Sequence, residues 1–200
     1  RQEEDTDLDG RIDAWTVFVN EKPVRKEADS DGDGRIDFWA YYDEKGELSR
    51  TESDTNKDGQ RDLVNYYEHG TLQKEERYDG RGKLLAVTVY EKGRPVRKEE
   101  ATKGGRLDRI TYFDEEGRVV KEAKDPLDQG RPTLFAYYDP VSKALVKEEE
   151  DLDGDGQIDV VSYYEGGRLV KRELYKLDEA SLKSPSRLLP DEGSLGREVK

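Results

Sequence analysis

The sequence predicts an all-β chain, seven β-hairpin repeats of about 24 residues laid side by side as one elongated, twisted antiparallel meander. Three observations predict it. A glycine returns at near-constant spacing, an aromatic and an apolar residue follow each such glycine at fixed offsets, and the segments between alternate with a period of two residues. Closure of the same hairpins into a barrel or a propeller-like ring is the alternative.

The marking glycines are Gly10, Gly34, Gly59, Gly82, Gly105, Gly130 and Gly156. Five residues beyond them stand Trp15, Trp39, Val64, Val87, Ile110, Phe135 and Val161. Eight residues beyond stand Phe18, Tyr42, Tyr67, Tyr90, Phe113, Tyr138 and Tyr164. The first strand of a unit, for example residues 36–42, is aromatic and β-branched and suits a pleated surface. It places Trp39 and Tyr41 on one face and Ile36, Phe38 and Tyr42 on the other. A glycine-bearing turn follows, as at Gly46, Gly70, Gly93, Gly117 and Gly166–Gly167, where tight hairpins demand positive φ. A polar strand then returns, as at 94–99 and 168–173, its Lys/Arg and Glu spaced for ion pairs on a solvated surface. These units make about fourteen strands.

Composition bounds the rest. Of 200 residues only 32% are apolar, 42% are charged, and the formal charge is −13. A thick core is therefore not expected, whereas the periodic aromatics exclude wholesale disorder. No apolar run is long enough for a membrane span. Without cysteine there is no disulfide, thiol catalysis or zinc-thiolate site, and methionine is also absent. A chain that opens at Arg1 is expected to be a processed or trimmed product. We expect the hairpin array to fill residues 1–176. Residues 177–200 leave the pattern and are expected to form a C-terminal cap, with a short helix started at Asp178 that covers the last edge, and a mobile tail.

Four inter-hairpin segments carry the clearest chemistry: DTDLDGRID (5–13), DSDGDGRID (29–37), DTNKDGQRD (54–62) and DLDGDGQID (151–159). Each offers oxygen side chains at positions 1, 3 and 5, a glycine at 6 for a sharp turn, a backbone carbonyl at 7 and a carboxylate at 9. The predicted ligands are Asp5, Asp7, Asp9, Arg11 and Asp13; Asp29, Asp31, Asp33, Arg35 and Asp37; Asp54, Asn56, Asp58, Gln60 and Asp62; and Asp151, Asp153, Asp155, Gln157 and Asp159, the Arg and Gln through main-chain oxygen. Six or seven hard oxygens per site suit Ca²⁺ better than Mg²⁺, so about four calcium ions are expected. A helical EF-hand would need Glu at position 12, where this chain has Thr16, Ala40, Asn65 and Ser162. Acidic Asp-Gly turns with no metal are the plainer reading, but four copies of such concentrated charge call for a counter-ion.

This nine-residue pattern resembles the calcium loops of FG-GAP repeats in integrin-type β-propellers. The resemblance implies a calcium loop set in β-structure; the 24-residue period is far shorter than an FG-GAP blade, so no propeller is implied. A second resemblance, carried by Tyr66-Tyr67-Glu68-His69-Gly70-Thr71-Leu72-Gln73-Lys74-Glu75 and Tyr163-Tyr164-Glu165-Gly166-Gly167-Arg168-Leu169-Val170-Lys171, is to MORN-like (YwqK-type) hairpin repeats. It implies an extended scaffold for contacts.

The other three segments have lost the acidic pattern. Residues 77–109 hold 10 basic and 5 acidic side chains. Arg77, Arg81, Lys83, Arg94, Arg97, Lys98 and Arg106 form either a docking stripe for an acidic partner or fixed cations that balance units without metal. His69, the only histidine, sits in a hairpin turn, and no nucleophile elbow, phosphate loop or zinc motif occurs, so no enzyme is expected. The negative charge opposes nucleic-acid binding. The expectation is a calcium-stabilised module, exported to the bacterial cell envelope or exterior, serving as a structural spacer or in protein–protein interaction with a protein or envelope polymer. A carbohydrate- or peptide-binding module with exposed aromatics on one sheet face is the alternative.

Overall fold

A computed structural model describes residues 1–102 and 105–175. The expected cap and tail at 177–200 lie outside the described residues. The described chain is all β and contains no helix, so no helix is long and apolar enough to cross a membrane. The strands are β1 (Gln2–Glu4), β2 (Ala14–Val19), β3 (Lys22–Ala28), β4 (Phe38–Tyr42), β5 (Leu48–Ser53), β6 (Leu63–Glu68), β7 (Thr71–Tyr78), β8 (Leu84–Glu91), β9 (Arg94–Glu100), β10 (Arg109–Phe113), β11 (Val119–Lys124), β12 (Leu134–Tyr138), β13 (Leu145–Glu150), β14 (Val160–Glu165) and β15 (Arg168–Leu174). They pair antiparallel in sequence order as one sheet, which is open and not closed into a barrel. The fifteenth strand is β1, whose Glu4 pairs with Ala14. No marking glycine precedes it, which is why the repeat pattern does not reveal it.

Every extensive strand–strand contact among the described residues is between sequence neighbours, so the sheet is a single layer. Small residues carry its core. Between the two periodic apolar positions lies a row consisting of Thr16, Ala40, Asn65, Thr88, Thr111, Ala136 and Ser162, most of them buried. The register explains the burial. Ala40 stands between Lys26 and the buried Thr51, and Ala136 between Glu122 and Glu148; the stems of the Lys and Glu side chains cover a short neighbour. The expected faces hold: Phe38 and Tyr42 share the face of Ala40, and Trp39 and Tyr41 take the other. Ile36 belongs to the preceding loop, because the strand begins at Phe38.

On the Trp39 face, ring, cation and carboxylate interlock. The Tyr66 hydroxyl donates to Glu76 at 2.9 Å, while the Lys74 ammonium lies 2.9 Å from Glu76 and 4.1 Å from the Tyr66 ring centre. Tyr137, Lys147 and Glu149 repeat this at 2.6, 2.7 and 4.4 Å. Desolvation and the Glu149 acceptor push the Tyr137 hydroxyl up to about 12. Tyr164, burial-shifted and bonded to Glu148 on the other face, is likewise raised to about 12.

Every hairpin also carries a β-bulge at the same place. The register slips between Val17 and Phe18, Tyr41 and Tyr42, Tyr66 and Tyr67, and so on to Tyr163 and Tyr164, with the extra residue on the returning strand. Bulges sharpen the local right-handed twist, so the twist of the meander is built in unit by unit.

Candidate metal centres

The inter-hairpin loops all line one edge of the sheet, and the hairpin turns line the other. A backbone ladder stacks the loops. The amide of Asp29 donates to the carbonyl of Asp13 at 2.8 Å, Asp54 to Asp37 at 2.9 Å, Asp125 to Asp108 at 2.9 Å and Asp151 to Thr133 at 2.8 Å. The four predicted calcium loops share one internal geometry. The first carboxylate accepts the amides of positions 5 and 6, as Asp29 does from Asp33 (3.2 Å) and Gly34 (2.7 Å). The fifth carboxylate holds the amide of position 7: Asp9 that of Arg11, Asp33 that of Arg35, Asp58 that of Gln60 and Asp155 that of Gln157, at 2.7–2.8 Å. The ninth accepts the amide of position 2, from Thr6, Ser30, Thr55 and Leu152. In the first three loops a hydroxyl at position 2 adds a second bond to that carboxylate. Sequence reasoning passed over this role, although the recurrent Thr or Ser at position 2 signals it.

Position 4 is left-handed throughout, with φ of 63° at Leu8, 75° at Gly32, 62° at Lys57 and 77° at Gly154; the glycine at position 6 lies at 88–97°. Together these curls turn the acidic side chains inward. Three groups result whose carboxylate oxygens lie within 4.8 Å of one another: Asp5, Asp7 and Asp13; Asp29, Asp31 and Asp33; Asp151, Asp153 and Asp159. Asp9, Asp37 and Asp155 stand outside these triplets, and the loop holding Asp54, Asn56, Asp58 and Asp62 forms no three-carboxylate group.

The seventh loop, 151–159, is the most demanding electrostatically. Asp151 and Asp159 are each only 4% exposed, and among the described residues no cationic side chain pairs with either. The Asp155 amide favours the charged form of Asp153, but desolvation and the carboxylates of Asp155, Asp159 and Asp151 outweigh it and push the Asp153 carboxyl above its ordinary value. In the second loop the Lys57 ammonium, reaching over from the third loop, pairs with Asp31 and holds its carboxyl below the usual range.

The sixth loop, 125–133, keeps the backbone without the acidic pattern. Asp128 and Gly130 occupy positions 4 and 6 with φ of 57° and 87°, and Asp125 accepts the amides of Gln129 (2.9 Å) and Gly130 (2.7 Å). Its charge is met by Arg106, whose guanidinium donates to Asp125 at 2.8 Å and Asp128 at 2.5 Å. At position 9 stands Thr133, 2% exposed, whose hydroxyl has no partner. The loss is paired: position 2 is Pro126, which has no amide hydrogen to offer. At the fourth junction a five-residue turn at Asp79–Lys83 replaces the loop, with the Asp79 carboxylate accepting the amides of Arg81 and Lys83.

The basic residues do not share a face. Arg97 and Lys98 are adjacent on β9 and therefore point to opposite sides; Arg81 lies at the loop edge, and Arg94 at the turn edge donates to the Glu115 carbonyl at 2.7 Å. Arg77, Arg97 and Lys98 pair with Glu75, Glu99 and Glu100. Among the described aromatic side chains only Phe18 (39%) and Tyr175 (48%) are exposed, and they lie at opposite ends of the sheet.

No protein-family model and no curated protein matches the chain. Solved structures share partial likeness. A mutant of S. aureus TarM in complex with Fondaparinux, alpha-GlcNAc-glycerol and UDP is 7% identical over 57% of this chain and 20% of its own, at a TM-score of 0.33. A GtfA/B complex bound to UDP and GlcNAc is 14% identical over 68% of this chain and 26% of its own, at 0.33. Accessory secretory protein 1,2 and 3 of Streptococcus pneumoniae is 14% identical over 62% of this chain and 21% of its own, at 0.28. The chain thus spans a fifth to a quarter of these proteins, and likeness at this level carries no argument about its activity.

Proposed function

We propose that this chain is a calcium-stabilised repeat module, exported to the bacterial envelope or exterior, that acts as a spacer or protein-interaction element and not as an enzyme. One observation carries the reading. Asp125 and Asp151 are buried at the same loop position, and Asp125 is met by Arg106, while among the described residues Asp151 and its neighbours Asp153 and Asp159 have no cationic side chain. A carboxylate cluster with two of its three members buried needs a positive charge from somewhere. An all-oxygen donor set within one tight loop fits a hard divalent cation, and its irregular geometry fits Ca²⁺ better than Mg²⁺. The residues that would hold it are Asp151, Asp153 and Asp159, with Asp5, Asp7 and Asp13 and with Asp29, Asp31 and Asp33 in the first two loops. The weaker third loop would draw on Asp54, Asn56, Asp58 and Asp62.

The bound ion would supply charge compensation that a single-layer sheet cannot obtain from its thin core. Binding only to the folded chain makes that free energy folding free energy. Sites without a bidentate Glu at position 12 should be weak, in the roughly 10⁻⁴–10⁻³ M range of extracellular modules, which motivates the assignment to an exported location. Calorimetric titration with CaCl₂ is the direct test. Heat that saturates in this range, and that falls when Asp151 and Asp159 are changed to Asn, is expected; a flat titration at millimolar calcium overturns the reading.

A further inference from the structure

Side chains from one loop reach into its neighbour along most of the stacked edge. Lys57 in the third loop reaches back to Asp31 in the second. Gln60 in the third reaches forward to the Gly80 carbonyl at 2.5 Å, and Arg106 in the fifth to Asp125 and Asp128 in the sixth. Arg131 in the sixth lies against Gly156 of the seventh, where a Cβ would meet its guanidinium at 3.0 Å. The junction between the first and second loops differs. Its backbone rung from Asp29 to Asp13 is present, yet no side-chain hydrogen bond or ion pair crosses it among the described residues. In place of a crossing side chain there is a cleft of about 150 Å³, walled by Asp7, Asp9, Asp13 and Asp29, with Gly32 at its rim and Trp15 lining it. Arg11 is the single cation on its wall.

The repeat itself shows what is missing. Lys57 occupies position 4 of the third loop and pairs with Asp31 at position 3 of the second. The corresponding residues one unit earlier are Gly32 and Asp7, and nothing lies within 4 Å of where a Cβ on Gly32 would stand. The first junction therefore repeats the acidic wall of the second without its ammonium group. We propose that this cleft receives a lysine side chain from a partner protein segment, seated as Lys57 is seated one unit along. The ammonium would face Asp7, and the aliphatic stem would lie along Ile12, Ile36 and Trp15. Asp7 is also one of the carboxylates offered to calcium in the first loop, so lysine and ion would compete for it, and the docking is read with calcium removed.

An NMR titration at low ionic strength, with chelator present throughout, tests it separately from the calcium reading. The probe is the peptide acetyl-Gly-Lys-Gly-amide, with the norleucine analogue as control. Saturable shifts are expected at the Trp15 indole and the Gly32 amide with the lysine peptide alone. Gly32→Lys, which supplies the absent side chain at a φ that Lys57 already adopts, is expected to weaken binding at least tenfold. Asp7→Asn should do the same without altering the backbone. Asp155→Asn, the same charge change in the seventh loop, should leave affinity within twofold. No saturable shift in the wild type, unchanged binding in both Gly32→Lys and Asp7→Asn, or an equal loss in Asp155→Asn would each overturn the assignment, the last pointing to general attraction by an acidic chain.

Discussion

The sixth and seventh loops are the same backbone solved with different charges. In both, a buried aspartate at position 1 accepts the amides of positions 5 and 6, and positions 4 and 6 are left-handed. The seventh loop surrounds that aspartate with further carboxylates; the sixth brings in Arg106 and discards the acceptor and donor at positions 9 and 2 together, as Thr133 and Pro126. The loop shape thus rests on main-chain amides aimed at one carboxylate. What neutralises the carboxylate is a separate matter, filled by a tethered guanidinium in one unit and, in our reading, by an ion from solution in another.

Four measurements would break or sharpen that contrast. The largest effect is expected from chelation. At calcium tenfold above the dissociation constant each occupied site contributes about 1.4 kcal/mol, and several sites add, so EDTA should lower the melting temperature markedly. Hydrogen exchange should quicken at 5–13, 29–37 and 151–159 and stay unchanged at 125–133. Equal quickening in the sixth loop would erase the distinction.

Next comes Arg106→Ala, which leaves Asp125 buried without its partner. A loss of about 1–3 kcal/mol is expected in urea denaturation. Calcium should not restore it, because Leu127 and Thr133 stand where the other loops carry oxygen ligands or carboxylates. Full rescue by calcium would make the sixth loop a metal site after all.

Alkaline pH probes the scaffold common to both loops. Tyr137 and Tyr164 are raised to about 12, above the unfolded value near 10. Their stabilisation is complete below pH 10 and is lost as pH rises toward 12. Thermal melts between pH 9 and 11.5 should therefore fall by several degrees, at roughly 2–4 °C per kcal/mol for a chain of this size. Tyr137→Phe should flatten part of the slope, and an unchanged slope would exclude Tyr137 from the effect.

The smallest difference is between Gly34→Ala and Gly130→Ala. Both force alanine into left-handed backbone, at a cost of roughly 1 kcal/mol. Gly34 has open space beside it, whereas a Cβ on Gly130 would meet the Arg106 guanidinium at 3.3 Å. Gly130→Ala should be the more destabilising of the two by denaturant midpoint, and the reverse order would show that Arg106 gives way freely.

Much of the architecture was legible because a period repeated seven times is a strong signal: the hairpins and the faces of Trp39 and Tyr42 follow from offsets around Gly34 and its equivalents, whereas an open and a closed meander share those offsets and only the pairing of the end strands separates them. The buried row through Ala40 and Ala136 was less visible, since nothing apolar marks Thr, Asn or Ser as interior; only the flanking Lys and Glu make them so. β1 escaped for lack of a preceding glycine, and the bulges because they depend on register across two strands. The four acidic loops were legible by spacing. The closures by Thr6, Ser30 and Thr55, and the reach of Lys57 and Arg106 into neighbouring loops, were not, because contacts some twenty residues apart arise only once the loops stack.

A sheet in which every strand pairs with its sequence neighbours alone has no fixed size. Deleting one whole unit or splicing in another should leave the strand pairing of the remaining units intact, changing the span of the molecule by about 9–10 Å each time, twice the separation of adjacent strands. Reach is then a quantity set by copy number alone, and a chain of this design can serve as a ruler whose graduations are counted out in its sequence.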